Sequence, residues 1–246
     1  EVLTKITQVT RLMGHSLTPT RRQQLAALLS ELHTLAGWQA LDMGKLTESW
    51  QHYSRGSTIA KEATTPAHDA HTTAGQAFVL IDLGDTSAAA ELLAATRAEV
   101  DRKTDRRLRS WLAAAHGETL AANNQRSASL RVFDRADALL PDDTTEGDDG
   151  PYLALDPVHL ARWRGHALAR IGEPEAINVL QSALYRLDPT FTRAATALHV
   201  DLATAFATIT NRDQAHTHVQ RAQALAADIG SARQQRRTTQ LRAQIG

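Results

Sequence analysis

The sequence predicts an all-α protein assembled from repeated helical hairpins, and three observations carry that reading. Aromatic residues make up 4 % of the 246 residues while alanine is used heavily. Small side chains let helices approach closely, and the aromatic residues that sheets favour are scarce. Glycine or asparagine recurs at Gly44, Gly84, Asn124, Gly172 and Asn211, residue types that tolerate the left-handed conformation closing a helix. Aligned on those five positions, small and bulky residues return in phase, the signature of an internal repeat.

Taken in chain order, residues 1–16 read as an amphipathic helix with Val2, Leu3, Ile6, Val9 and Leu12 on one face, suited to connecting or dimerising. Residues 17–246 form the repeat domain. Seven residues before each turn stand Gly37, Ala77, Gly117, Gly165 and Thr204, all small. Four before it stand Ala40, Leu80, Leu120, Leu168 and Ala207. After the turn come Ser49, Ala89, Ser129, Ala176 and Ala215, the last two reached one residue early. Tyr53, Leu93, Phe133, Leu180 and Val219 follow, then Gly56, Thr96, Ala136, Ala183 and Ala222. Two antiparallel helices lie close only where facing residues are small, and a bulky neighbour fills the remaining hole.

That order of small, apolar, turn, small, bulky and small residues resembles the tetratricopeptide repeat, most clearly in LAGWQALDMGKLTESWQHYSRG. The resemblance implies a right-handed superhelix of about five helical hairpins with flanking terminal helices. Units near forty residues exceed the family's usual thirty-four, which lengthens second helices or linkers. The acidic stretch PDDTTEGDDGP, residues 141–151, has no apolar side chain to bury and reads as a loop that accounts for the longest gap. Its carboxylates lack the alternation and glycine placement of a calcium loop. The closing SARQQRRTTQLRAQI reads as a capping helix with Ser231 as N-cap.

Chemistry is hard to place on this chain. Without cysteine there is neither a disulfide frame nor a Cys-based zinc site. Lys plus Arg and Asp plus Glu balance at 27 each, which removes a global electrostatic grip on nucleic acid. No apolar run spans a bilayer and no signal peptide is visible, so the expected location is cytoplasmic. Phosphate-binding glycine loops, hydrolase elbows, HExxH and dinucleotide fingerprints are missing; no catalytic residue, metal or cofactor is expected. His68 with His71, and His216 with His218, read as surface or groove polar residues rather than ligands, since neither pair gathers a third donor on its face. Two basic clusters, residues 101–109 and Arg233, Arg236, Arg237 and Arg242, read as exposed helix charges in preference to phosphate contacts.

The order of segments is similar to the C-terminal half of actinomycete helix-turn-helix regulators of the Cro/repressor type. The matching stretches are LAGWQALDMGKLTESWQHY, RLRSWLAAAHGETLAA, HLARWRGHALARIGEPEA, ALYRLDPTFTRAATALHVDLATA and IGSARQQRRTTQLR. The resemblance implies a sensory and oligomerisation module, a homodimer that binds a peptide or small-molecule effector and reaches DNA only through a missing N-terminal domain. The first residue is Glu1 rather than Met, in line with that expectation. A stand-alone protein-interaction scaffold and the helical arm of a larger nucleotide-dependent signalling protein are the alternatives.

In such arrays the first helix of each hairpin lines the concave surface. Its free face carries Trp38, Asp42, His71, Phe78, Asp82, Trp111, Glu118, His159, Arg162, His166, Arg170 and Asp201. Aromatic and acidic residues dominate the first three units, and Arg162, His166 and Arg170 form one stripe of the fourth. Arginines would hold a carboxylate or phosphate by paired hydrogen bonds, and aromatics would supply buried area. The competing reading makes Trp38, Phe78 and Trp111 core residues and pairs the arginines with Asp201 and Glu118.

Overall fold

The computed structural model describes residues 1–15, 18–63, 66–142 and 150–245, and among these it contains helices and no strand. Twelve helices follow one another: α1 (Val2–Gly14), α2 (Pro19–Asp42), α3 (Leu46–Ala60), α4 (Ala67–Leu83), α5 (Thr86–Val100), α6 (Arg106–Ala122), α7 (Arg126–Leu139), α8 (Pro157–Arg170), α9 (Ala176–Arg186), α10 (Thr192–Thr208), α11 (Arg212–Asp228) and α12 (Ala232–Ile245). Helices α2 to α11 form five antiparallel hairpins, with α1 packed on α2 and α12 on α11. Several helix starts are fixed by capping chemistry. Asp85, Asp105, Asp156 and Asn211 each accept a hydrogen bond from a backbone N–H in the first turn, and Ser231 does the same for α12 through the Gln234 N–H. Most of the 141–151 loop, residues 143–149, lies outside the described residues.

Each hairpin closes the same way. The first residue past the turn sends its N–H back five positions: Lys45 to Ala40, Asp85 to Leu80, Gln125 to Leu120, Glu173 to Leu168 and Asn211 to Phe206. This bond requires a left-handed residue between, supplied by Gly44, Gly84, Asn124, Gly172 and Thr210. The last turn therefore sits at Thr210, not Asn211, which instead caps α11. With that correction the fifth unit's slots move to Ala203 and Phe206, both buried, and Ala215 falls five after the turn as in the first three units.

The small-residue slots are where the two helices of a hairpin meet. A Cβ on Gly37 would lie 2.9 Å from the Tyr53 ring, one on Gly117 2.6 Å from Phe133, and one on Gly165 2.6 Å from Leu180. Beside that contact the Ser49 hydroxyl donates to the Gly37 carbonyl and Ser129 to Gly117, each at 2.7 Å, so the buried hydroxyls are satisfied. Tyr53 also serves the next hairpin, since Gly75 of α4 has no room for a Cβ against the same ring.

Two stability changes follow. Gly117→Leu drives a side chain into Phe133 and is expected to cost at least about 1–3 kcal/mol, read from urea denaturation. Gly14→Ala, which meets nothing within 4 Å, should be neutral or stabilising, and equal costs for the two would show that the ring contact does not limit packing. Thr210→Gly relieves a β-branched residue held at φ 58° and should gain about 1 kcal/mol; a loss would mean that the threonine side chain contributes more than its strain.

Candidate functional site

The inner helices α2, α4, α6, α8 and α10 touch in sequence, and α12 returns to contact both α10 and α2. The inner surface is largely occupied by the chain itself. Residues 150–156 lie over the first three hairpins, with Leu153 and Leu155 buried in the apolar cluster that holds Trp111, Leu108 and Ala70. The Tyr152 N–H donates to Glu31 Oε1 at 2.9 Å, and the Leu153 carbonyl accepts from Arg107 at 2.6 Å. Behind this segment His71 stands edge-on to Trp111, and Trp163 links Trp111 to Phe78.

Helix α12 occupies the opposite part. Arg233 grips both oxygens of Asp82, at 2.8–3.2 Å, with Arg236 at 3.6 Å. Ser231 donates to Asp42 at 2.6 Å, and Arg193 of α10 pairs with the same carboxylate. The Arg193 guanidinium also lies over the Trp38 ring. Asp42 and Asp82 on the first two inner helices are thus tied to α10 and α12. The reading of the α12 arginines as exposed helix charges is corrected here: Arg233 and Arg237 are drawn inward because their carboxylate partners sit on the groove wall.

Between these occupied regions, α6, α8 and α10 enclose a polar centre. Asp201, buried on α10, accepts from Arg237 at 2.7 Å and lies 2.7 Å from His166 Nδ1, while His166 Nε2 lies 3.5 Å from Glu118. Burial alone pushes the Asp201 carboxyl up, but His166 and Arg237 hold it well below the usual carboxylate range. Arg162 is different. Its Nε is shut off from water with no hydrogen-bond partner among the described residues. Burial lowers its pKa, and Asp201, Glu118 and Asp156 oppose that only through space. Arg170 is lowered in the same way, with Arg237 and Arg233 adding repulsion. A cleft of about 300 Å³ opens beside this centre between α8, α10 and α12, lined by His166, Arg170, Asp201, Thr204, Arg237 and Leu241 among others.

The twelve residues singled out in the sequence therefore fall into groups. Glu118, Arg162, His166, Arg170 and Asp201 converge; His71, Phe78 and Trp111 form an aromatic cluster; Trp38, Asp42 and Asp82 engage Arg193 and α12. His159 stands apart at the start of α8, 2.9 Å from Asp156 and edge-on to Phe191. Sequence reasoning missed Trp163, which sits one residue off the inward stripe, and the inward role of Arg233 and Arg237.

The histidines also need correction. His68 is buried beside Glu31, and His218 is half-buried and faces His199, Nδ1 to Nδ1, at 2.9 Å. His33 and His52 repeat that contact at 3.0 Å, at the same distances from their turns. Each pair needs one nitrogen free of a proton, so double protonation breaks it.

No family model matches this chain, and no curated protein matches it. Among solved structures it is similar to two crystal structures described as Podosopora anserina putative kinesin light chain nearly identical TPR-like repeats. One, a point variant, has a TM-score of 0.50 at 15 % identity and covers 88 % of this chain and 99 % of that one. The other has a TM-score of 0.49 at 15 % identity, covering 87 % and 99 %. At 0.50 the first likeness shows the fold, a stack of tetratricopeptide-like hairpins. No helix among the described residues is long and apolar enough to cross a membrane.

Burial is the main cause that brings His33, His71, His116 and His199 each to about 4. The unfolded chain takes up these protons first, near the ordinary 6.5, so the stability they contribute is complete above that pH and lost as pH falls towards 4. Thermal melts across this window should show a progressive fall in midpoint. A flat midpoint would contradict burial of neutral imidazoles.

Proposed function

We propose that this chain is a non-catalytic binding module that senses an anionic effector, a small molecule or a peptide end, in the cleft between α8, α10 and α12. The observation that carries the reading is Arg170, which lines this cleft and makes no hydrogen bond or ion pair among the described residues, while two turns earlier on the same helix Arg162 has its Nε buried without a hydrogen-bond partner. A buried cation held only by through-space attraction is costly. A carboxylate or phosphate accepting paired hydrogen bonds would offset that cost. The cleft wall includes Arg237 and Leu241 of α12, so an occupant would bear on the helix that ties the last hairpin to the first two.

In its wider setting we read the chain as the sensory and oligomerisation part of a transcription regulator, following the resemblance in its sequence. Self-association would use the apolar side chains left exposed on α1 and α2, Leu3, Leu12, Leu28 and Leu35. The second reading is a scaffold for protein partners, which the tetratricopeptide-like fold favours because such stacks are typically non-enzymatic interaction surfaces.

The test is thermal stabilisation by a panel of carboxylates, phosphates and peptides with free C-termini. A ligand present at about one hundred times its Kd stabilises by about 2.7 kcal/mol, a readable shift. The shift should vanish in Arg170→Ala and Arg162→Met with helical content unchanged. Equal shifts from uncharged analogues, or shifts that survive both changes, would sink the effector reading. Sedimentation of the same samples as monomers would remove the dimer.

A further inference from the structure

The cleft between α8, α10 and α12 presents charges of both signs. Its cations are Arg170 of α8 and Arg237 of α12, and its carboxylate is Asp201 of α10. His166 and Arg237 both meet the same oxygen of that carboxylate, Oδ1, each at 2.7 Å. Among the described residues no hydrogen bond reaches the other oxygen, Oδ2. Unlike Arg162 Nε, it is not sealed from water, so an occupant has access to it. An ionised carboxylate offers about four acceptor positions over its two oxygens, and half of that capacity is idle here. The group stays ionised all the same, because His166 and Arg237 outweigh the effect of burial.

A simple anion suits one side of this wall and not the other. Drawn to Arg170, it stands close to the charge of Asp201, with Glu118 acting on the same arginine through space. Like charges at such a site repel, and low local dielectric strengthens the repulsion. A hydrogen-bond donor carried by the same ligand removes the conflict. An ammonium group is all donor and no acceptor, and at Oδ2 it would form a charge-assisted bond that the protein leaves unmade. The rest of the wall includes the apolar side chains Ala169, Val200 and Leu241. The volume of about 300 Å³ is the share of about ten water molecules, which suits a ligand of amino-acid size.

We propose that the cleft takes a small zwitterion of the amino-acid class, with its carboxylate on Arg170, its ammonium on Asp201 Oδ2 and an apolar side chain against Val200 and Leu241. Resting on the effector reading, this assignment narrows it from anions at large to molecules that carry both charges. Selectivity follows from what each lesser ligand leaves behind. An anion without a donor leaves Asp201 Oδ2 covered and unbonded, and a cation without a carboxylate leaves Arg170 so. Either omission costs the desolvation of a charged group, and a site built to bond both ends rejects molecules that lack one.

The experiment uses the full chain. Thermal shift selects the strongest binder among the common L-amino acids, β-alanine, 4-aminobutyrate and 5-aminopentanoate. Calorimetry then compares that compound with its N-acetyl form, which keeps only the carboxylate, and its amide, which keeps only the ammonium. The parent should bind the zwitterion at least about tenfold more tightly than either derivative. Arg170→Ala should remove the advantage over the amide, and Asp201→Asn the advantage over the N-acetyl form. An N-acetyl form or inorganic phosphate that binds as tightly as the zwitterion, and through Arg170, overturns the zwitterion while the anionic effector stands. An amide that binds as tightly as the zwitterion overturns both, as does the absence of any shift with these compounds and with simple carboxylates and phosphates. An advantage over the N-acetyl form that survives Asp201→Asn removes Asp201 from the site and overturns the assignment. If Asp201→Asn does not fold, the three forms on the parent decide, and equal affinities there overturn it.

Discussion

The distance between the two helices of each hairpin governs the rest of this structure. Gly37 against Tyr53, Gly117 against Phe133 and Gly165 against Leu180 bring backbones together to where an added Cβ does not fit. That approach puts Ser49 and Ser129 within reach of the glycine carbonyls. It also lets Tyr53 extend beyond its own hairpin to Gly75, so packing within one unit sets the spacing to the next. A stack of this kind has little freedom to adjust locally, because close-packed interiors transmit displacement instead of absorbing it.

Rigid spacing of the inner helices fixes where their polar residues meet. Asp42 and Asp82 lie at the ends of α2 and α4, and α12 reaches them because five hairpins bring the chain round. The closure is mostly charged: Arg193 on Asp42, Arg233 and Arg236 on Asp82, Arg237 on Asp201. Its apolar component is confined to the far end of α12, where Leu241 and Ile245 join the cluster of the last two hairpins. Hence α12 is anchored hydrophobically to its own end of the stack and electrostatically to the other, and the second attachment is the one that salt screens.

Most of the hairpin arrangement was legible in the sequence because it depends on contacts at fixed distances from a turn, and those recur as periodic residue types. The exception is instructive. Thr210 occupies a left-handed position that threonine rarely takes, so the neighbouring Asn211 drew the assignment although it is a cap. Part of the polar centre was legible too, since Arg162, His166 and Arg170 follow one another at four-residue steps on one face of a helix. The occupancy of the groove was not. Leu153 and Leu155 stand beside an acidic, turn-rich stretch and carry no helical period, and the arginines of α12 look solvated until the carboxylates opposite them are located. The paired histidines were within reach: His33 with His52 and His199 with His218 are each nineteen residues apart, and alignment on Thr210 puts them at matching positions.

The groove differs at its two ends in how its polar groups are met. Towards the first hairpins, an internal segment and α12 supply leucines, a backbone N–H, a carbonyl and the arginines Arg233 and Arg236, and among the described residues isolated atoms such as His68 Nδ1 stay unpaired. Around α8 the balance reverses. His166 and Arg237 both meet Asp201 Oδ1 and Glu118 has one long contact, while among the described residues Arg162 and Arg170 have no direct partner. Asp201, Glu118 and Asp156 act on Arg162 only through space, as Glu118 and Asp201 do on Arg170. A buried cation without a direct partner is unfavourable unless an anion accompanies it, and the cleft beside Arg170 is where this end of the inner surface is open to one.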